Sequence, residues 1–427
     1  MIQWPGPSPA PGPAGRPPGS QAGKPPRAGE GAKEQGRLGC PRHRHPAPRP
    51  ARPRPRRPRT ALALLLLVAL VLPACGGSGP AGPPAKPGGD GGDRGNRILG
   101  RDPVVYGFYT EPEPGMPGSF ATMVRRARDL DVIVPFWFRL AERGDGTIEA
   151  YAAPSPERRR QVIREAHRRN LKVELIVHNL LYGPGDRSAA TARRFLRDPR
   201  AQDRAVGGML DLIRQEGYDG VHLDLETVPP EERHRLTAFV RKVREALPQG
   251  KLLSIAVFPR NRDVRDDPNT GAYDYAALGR AVDYFILMTY SEHRADTPPG
   301  PLASLDYVDR MVRYALRYVP RDKVIVGLGA FGFDWGGGGF PRYLDHAQAV
   351  RLARDRGVAV RWDDRARVPF FTYTADDGTS HTVYFENARS WGEKLNLVQR
   401  HGVRGVAIWR LGMEDAAAWR QIALRLR

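Results

Sequence analysis

The fold is decided by the stretch Tyr218-Asp219-Gly220-Val221-His222-Leu223-Asp224-Leu225-Glu226. From position 221 onward apolar and polar residues alternate: 221, 223 and 225 are apolar, whereas 222, 224 and 226 are polar. In a β-strand these two sets face opposite sides of the sheet. The apolar set suits a face covered by helices, so we expect the polar set to point into a barrel and to step toward the mouth at its C-terminal end.

The rest of the chain supports a barrel. From about residue 101 onward, short apolar runs rich in β-branched residues alternate with amphipathic helical stretches, a pattern typical of parallel βα units. Eight strands are predicted, at residues 104–109, 132–138, 172–178, 220–226, 252–258, 284–290, 323–328 and 405–409. One intervening helix is predicted over residues 203–216, with Gly217 as its stop signal. The sequence therefore predicts an α/β fold, a (β/α)8 TIM barrel.

An insertion interrupts the predicted barrel between its seventh and eighth strands, at about residues 330–390. Residues 358–362, 370–374 and 381–385 have the pattern of short antiparallel strands. Asp376-Asp377-Gly378 supplies a turn between the last two of them. We therefore expect a small α+β insertion in this region.

Two acidic side chains are predicted to point into the barrel mouth, with Glu226 at the rim and Asp224 one layer below. Their Cα atoms are about 6.6 Å apart by the rise of a strand, so each raises the energy of the other's ionised form. One of them should stay protonated near neutral pH, as a general acid requires. A purely structural alternative pairs both carboxylates with inward Arg or Lys. The neighbouring predicted strands show no such inward basic residue.

Residues 219–226 match the DGxDxDxE signature of glycoside hydrolase family 18. Asp219, Gly220, Asp224 and Glu226 are in place, and His222 stands where the first Asp of DxDxE is usual. The chain resembles the spore germination and cortex-lytic, N-acetylglucosaminidase-like branch of this chitinase-like family, which tolerates a non-acidic residue at that position. The resemblance thus implies a glycosidase.

Two further segments extend the resemblance over roughly residues 103–415. Met288-Thr289-Tyr290 is similar to the MxY motif that ends the sixth strand in the family. Residues 405–409 end the eighth strand with Trp409, where the family places a Trp under the reactive sugar. Ser291 follows the Tyr where many chitinases have Asp.

The resemblance implies a retaining mechanism in which the substrate's own 2-acetamido oxygen attacks the anomeric carbon. Glu226 would protonate the leaving oxygen and later activate water. Asp224 would orient the acetamido group and stabilise the oxazolinium cation, and Tyr290 would donate to the acetamido oxygen. Trp409 and Met288 would contact the sugar. Asp219, Gly220 and His222 would have structural roles in the motif.

The N-terminal region has a different composition. Residues 1–55 are rich in Pro and Arg and predict a disordered extension. Residues 56–75 predict a lipoprotein-type signal peptide, with a basic flank, an apolar run at 61–72 and Cys75 as the lipidated residue. A plain signal peptide with an incidental Cys75 is the alternative. Residues 76–100 predict a Gly/Pro-rich linker to a catalytic barrel at 101–427.

Charge and cysteine content exclude several classes. Residues 75–427 hold 54 Lys and Arg against 45 Asp and Glu, a formal charge of +9, and no nucleic-acid-binding motif is present. With the leader removed, Cys75 has no partner for an intrachain disulfide. No HxxxH or HExxH spacing occurs, so we expect neither a metal nor a cofactor. A monomer is expected.

The resemblance, together with the predicted export, implies a secreted hydrolase of a β-linked N-acetylglucosamine-containing polysaccharide, most simply peptidoglycan or spore cortex. It would be tethered by a lipid anchor at the extracellular face of the membrane, or would reside in the cell wall or spore envelope. A chitinase or chitooligosaccharide hydrolase is an alternative within the same reaction class. Two candidates come from different functional classes, namely a glycan-binding lectin on the same barrel and a structural wall-anchored protein. Four more aromatic residues could line a groove or pack in the core: Tyr109, Trp137, Phe258 and Trp335.

Overall fold

The structure, a computed structural model, describes residues 102–181 and 186–427. The predicted N-terminal extension, the signal peptide with Cys75 and the linker lie outside these residues. No helix in the described ranges is both long enough and apolar enough to cross a membrane.

The strands alternate with helices through most of the described chain. The strands are β1 Val104–Tyr109, β2 Val132–Pro135, β3 Phe138–Leu140, β4 Ile148–Ala150, β5 Lys172–His178, β6 Gly220–Asp224, β7 Leu252–Val257, β8 Tyr284–Leu287, β9 Val324–Gly329, β10 Phe331–Trp335, β11 Arg342–Asp345, β12 Arg361–Asp363, β13 Val368–Thr374, β14 Ser380–Phe385 and β15 Gly405–Trp409. The helices are α1 Phe120–Arg125, α2 Pro156–Arg168, α3 Arg187–Arg197, α4 Pro199–Glu216, α5 Arg233–Ala246, α6 Tyr275–Ala281, α7 Leu305–Ala315, α8 His346–Asp355, α9 Ala388–His401 and α10 Ala418–Leu426.

Eight of these strands close into a barrel. In the order β1, β2, β5, β6, β7, β8, β9 and β15, each strand pairs in parallel with the next. The ring closes because β15 pairs with β1, with Gly405 opposite Val104. The predicted (β/α)8 TIM barrel is therefore confirmed.

The two faces of β6 are oriented as the alternation predicts. Val221, Leu223 and Leu225 belong to the main hydrophobic core between the barrel and its helices, together with Leu236 and Phe239 of α5. A second apolar cluster fills the barrel interior, formed by inward residues of the other strands. Burial of the apolar face outside the ring leaves the polar face of β6 directed inward.

Helix α4 begins four residues earlier than predicted. The side chain of Asp198 accepts a hydrogen bond from the N–H of Arg200, and Pro199 occupies the first helical turn, where its missing N–H costs nothing. The helix ends at Gly217, whose φ of +86° is the left-handed conformation typical of a C-cap. The predicted stop signal at Gly217 is confirmed.

Several predicted strands end earlier in the structure. The predicted strands at 220–226, 252–258 and 284–290 stop at Asp224, Val257 and Leu287. Beyond these points the chain leaves the ladder to form the mouth. The predicted strand at 132–138 is divided into β2 and β3. The backbone N–H of Trp137 turns back to the carbonyl of Pro135, at 2.9 Å, instead of pairing with a neighbouring strand.

The insertion between β9 and β15 is a five-stranded antiparallel sheet in the order β11-β10-β14-β13-β12, with α8 packed against it. The strand predicted at 358–362 was wrong in position, because β12 occupies Arg361–Asp363. The sequence prediction also missed β10 and β11. A single residue, Ala330, separates β9 from β10, so the two strands read as one apolar run.

Candidate active site

A cavity opens at the C-terminal end of the barrel. It is lined by Phe108, Leu180, Asp224, Glu226, Ala256, Met288, Tyr290 and Trp409. The five residues predicted to be catalytic or to bind substrate therefore lie together. Phe108, Leu180 and Ala256 were not predicted as site residues. Phe108 and Ala256 are the inward residues of β1 and β7 at the level of Asp224.

Asp224 and Glu226 form the acidic centre of this cavity, and both are nearly buried, at 4% and 6% exposure. Burial raises the pKa of Asp224 to about 7. Burial and then the neighbouring Asp224 charge raise the pKa of Glu226 well above its usual value. Two ionised carboxylates this close and this deeply buried are unfavourable together, so the pair favours one protonated carboxyl beside one anion.

Within the described ranges, no Lys or Arg forms an ion pair with Asp224 or Glu226, and Oδ1 of Asp224 has no hydrogen-bond partner there. Arg294 slightly lowers the pKa of Glu226, but its guanidinium is paired with Asp296 at 3.0 and 3.1 Å. The described residues therefore give no support to the structural alternative, in which cations pair with the inward carboxylates.

The backbone of Glu226 is held by Asn179, which follows β5. The Asn179 side-chain oxygen accepts from the Glu226 N–H at 2.8 Å, and its amide nitrogen donates to the Glu226 carbonyl at 2.8 Å. The next residue, Thr227, has a φ of +50°, which is unusual for a β-branched residue. The sequence analysis did not select Asn179. A polar residue directly after an apolar barrel strand is the signal that marks it.

His222 is fully buried inside the barrel below Asp224. Its Nδ1 lies 2.7 Å from the hydroxyl of Ser254, and Phe108 packs edge-on against its ring. Burial lowers the pKa of His222 to about 3. The residue is therefore neutral at physiological pH and brings no charge to the acidic pair.

Tyr290 and Met288 line the cavity from the segment after β8. A Cβ atom at Gly327 would lie 2.9 Å from the Tyr290 ring and 2.5 Å from the Leu287 carbonyl, so this glycine makes room for the ring. Phe331 of the insertion packs edge-on against Tyr290 at 6.0 Å. Ser291 turns away, because its hydroxyl donates to the carbonyl of Met288 at 3.1 Å.

Trp409 ends β15 and is partly exposed in the cavity. Its ring contacts Phe108 and Phe136, with ring centres 5.2 and 5.4 Å away. Tyr109, Trp137, Phe258 and Trp335 belong instead to the main hydrophobic core, and none of them lines the cavity. Core packing accounts for these four residues.

Asp219 and Gly220 lie at the opposite end of β6 from the cavity. The Asp219 carboxylate accepts from the backbone N–H of Val173 and contacts His167, both at 2.8 Å. Burial tends to raise the pKa of Asp219, but these hydrogen bonds outweigh it and lower the pKa. A Cβ at Gly220 would lie 2.4 Å from the Leu252 carbonyl. Both residues thus join β6 to its neighbouring strands. The described part of the chain holds no group of three or more His, Cys, Asp or Glu side chains placed to bind a metal ion.

Comparison with known proteins agrees with this architecture. A cortical fragment-lytic enzyme of Bacillus cereus is 32% identical over 241 residues, which are 55% of this chain and 56% of that protein. The crystal structure of the B. cereus spore cortex-lytic enzyme SleL superposes with a TM-score of 0.69 and 26% identity, covering 76% of this chain and 74% of that one. A chitinase from Chromobacterium violaceum gives a TM-score of 0.68 and 28% identity, covering 76% and 99%.

The chain spans from about half to two thirds of the length of the curated relatives it matches. The family model described as glycosyl hydrolases family 18 matches residues 132–414, which include every residue lining the cavity except Phe108. The chain therefore belongs to glycosyl hydrolase family 18 and is similar to spore cortex-lytic enzymes and chitinases.

Proposed function

We propose that this glycosidase cleaves β-linked N-acetylglucosamine-containing glycans with retention of configuration, and that peptidoglycan or spore cortex is its substrate. The observation that carries the proposal is the pair of nearly buried carboxyl groups that line the cavity, in which burial and the neighbouring Asp224 charge raise the pKa of Glu226. Glu226 acts as the general acid on the leaving oxygen and then as the base for water.

The position of Asp224 supports substrate-assisted chemistry. A two-carboxylate retaining glycosidase places its carboxyl groups on either side of the scissile bond, about 5–5.5 Å apart. Asp224 instead is the last residue of β6, and Glu226 follows it by two residues on the same segment of the chain. The 2-acetamido oxygen of the substrate then serves as the nucleophile. Asp224 orients its N–H and stabilises the cation, and Tyr290 donates to its oxygen.

Trp409 and Met288 form the apolar surface for the reactive sugar. An indole face suits the C–H-rich face of a pyranose ring, and Trp409 is the partly exposed aromatic residue of the cavity. The names of the relatives, cortical fragment-lytic enzymes, support a bacterial wall glycan. The chitinase-like neighbours keep chitin as the second candidate substrate.

The predicted export fits this substrate. A signal peptide at 56–75 with Cys75 lipidated, followed by a flexible linker at 76–100, would hold the barrel of residues 101–427 against the wall on the outer face of the membrane. A single barrel supplies all of the residues that line the cavity, which supports action as a monomer.

Reducing-sugar release and product mass should be measured with purified peptidoglycan, spore cortex and chitin oligomers. We expect release by the wild type and none by Glu226→Gln, which keeps the size of the side chain but cannot give up a proton. Glu157→Gln, at a surface residue, is the matched control. Binding without release by the wild type would favour the lectin, and preferred cleavage of chitin would favour the chitinase.

A further inference from the structure

A buried chain of hydrogen bonds crosses the barrel interior below the acidic pair. The Tyr106 hydroxyl donates to Oε1 of Glu174 at 2.8 Å, and the other carboxylate oxygen of Glu174 is bonded to the hydroxyl of Ser254. The same hydroxyl lies 2.7 Å from Nδ1 of His222. Four different strands supply these residues, and each side chain is fully buried.

Two buried polar atoms beside this series of hydrogen bonds have no partner. Within the described residues, Nε2 of His222 and Oδ1 of Asp224 form no hydrogen bond. The two residues are consecutive inward positions of β6, with Cα atoms about 6.6 Å apart by the strand rise. Both atoms are buried, so a rotation of the Asp224 side chain that brought Oδ1 within reach of Nε2 would give each of them a hydrogen-bond partner.

Whether that interaction is attractive depends on which nitrogen carries the imidazole proton. If Glu174 is protonated, its hydroxyl donates to Ser254 and Ser254 donates to Nδ1, which leaves the proton on Nε2. If Glu174 is ionised, Ser254 donates to Glu174, so Nδ1 must carry the proton and donate to Ser254. Loss of one proton from the chain therefore converts Nε2 from a donor into a lone pair.

We propose that Glu174 is a positioning residue for this hydrolase: through Ser254 it sets the tautomer of His222, and the Nε2–H tautomer holds the Asp224 carboxylate. The inference rests on the proposed function of Asp224 as the anion that stabilises the acetamido-derived cation. It assigns His222 the task of donating a hydrogen bond to Asp224.

The surroundings of Glu174 favour its protonated form at neutral pH. Burial raises the pKa of Glu174 to about 8, although hydrogen bonds from Ser254 and Tyr106 oppose the shift. Ionisable groups that face the network from the other packed elements are Asp219, Asp283, Tyr284 and Arg404. Below about pH 8 His222 therefore presents Nε2–H, and above it the lone pair.

The tautomer can be read directly. Two-bond ¹⁵N–¹H correlation spectra of the ¹⁵N-histidine-labelled full chain, with the His222 signal identified by its loss in His222→Gln, report which nitrogen is protonated. In the wild type we expect Nε2–H at pH 6.5 and Nδ1–H at pH 9.5. In Glu174→Gln, whose amide donates to Ser254 at every pH, we expect Nε2–H throughout. A wild-type tautomer that does not change with pH, or the same change in Glu174→Gln, would overturn the proposal.

Activity supplies the second readout. The wild-type kcat should fall about tenfold between pH 8 and pH 9.5 as Glu174 ionises, whereas Glu174→Gln should retain most of its activity over that interval. An equal fall in both proteins would assign the alkaline limb to Glu226 and contradict a catalytic role for the network. If no glycan is hydrolysed by either protein while the tautomer still switches, the proposed function fails and the hydrogen-bond chain stands.

Discussion

Asn179 binds both backbone polar groups of Glu226, across the gap between β5 and β6. One side-chain amide accepts from the Glu226 N–H and donates to the Glu226 carbonyl, each at 2.8 Å. This arrangement fixes the peptide that carries the proposed general acid at a point where the strand ladder has already ended.

We expect Asn179→Ala to lower kcat by about 10²-fold with a smaller effect on KM, because a displacement of about 1 Å at a catalytic group has that cost. Thermal unfolding should show a loss of about 1–3 kcal/mol from the unsatisfied backbone groups. The control is Asn396→Ala at an exposed position of α9. Unchanged kinetics in Asn179→Ala would show that Glu226 is held by other contacts.

The buried acidic pair should make the enzyme less stable than its amide variant at neutral pH. The pKa of Asp224 is raised to about 7 in the folded chain, above the value near 3.9 in an unfolded chain. Stability associated with this group is therefore full below about pH 4 and is lost as the pH rises through about 7. Asp224→Asn should lose activity yet gain up to roughly 4 kcal/mol relative to the wild type above pH 7.

Thermal unfolding of both proteins between pH 4 and pH 9 tests this prediction. The difference in Tm should grow between pH 4 and pH 7 and then level off. Asp364→Asn, at an exposed residue of the insertion, should show no such growth. A difference in Tm that is constant with pH would mean that Asp224 is not desolvated in the folded state.

Removal of the Tyr290 hydroxyl should affect chemistry without affecting folding. The ring of Tyr290 packs over Gly327 and against Phe331, and these contacts remain in Tyr290→Phe. Loss of one donor to a reacting oxygen typically costs about 10²–10³-fold in kcat. Steady-state kinetics and Tm should be measured beside Tyr318→Phe, at a tyrosine that is 45% exposed. A Tyr290→Phe enzyme with normal kcat would remove Tyr290 from the proposed mechanism.

Gly220 is required because the backbones of β6 and β7 lie very close together at this position. A Cβ atom there would lie 2.4 Å from the backbone carbonyl of Leu252, which cannot move without disturbing the ladder between β6 and β7. We expect Gly220→Ala to destabilise the fold by about 1–3 kcal/mol in denaturant unfolding. Gly339→Ala is the control, because no heavy atom lies within 4 Å of the added Cβ, and it should change stability by less than about 0.5 kcal/mol. Equal effects of the two changes would contradict this account.

The alternation in β6 was sufficient to orient Asp224 and Glu226, because a period of two leaves one face for the helices and one for the barrel interior. Trp409, Met288 and Tyr290 were placed at other strand ends by the resemblance to the family, because they stand at the positions of its motifs. The ends of the strands were harder to predict from the sequence. The backbone just after Asp224 is held by Asn179, a residue 47 positions away from Glu226.

The hydrogen bonds inside the barrel and strand β10 were not predicted because both depend on contacts between residues that are distant in sequence. The contact between Glu174, Ser254 and His222 joins three strands, and no local pattern marks a glutamate in an apolar strand as part of a polar chain. In the insertion, β9 and β10 are separated by Ala330 alone, so hydropathy cannot divide them. The change from the barrel to the second sheet is visible once their different pairing partners are known.

The pairing of β1 with β15 has a consequence for how this chain is made. Val104 finds its neighbour at Gly405, so the ring cannot close until nearly all of the barrel sequence has been synthesised. A product that stops before Gly405 leaves β1 and β9 with open hydrogen-bonding edges, which favour association with other chains. Late closure of this kind slows folding. If the chain is exported as proposed, slow closure would lengthen the time during which the polypeptide is still unfolded enough to pass through a membrane pore.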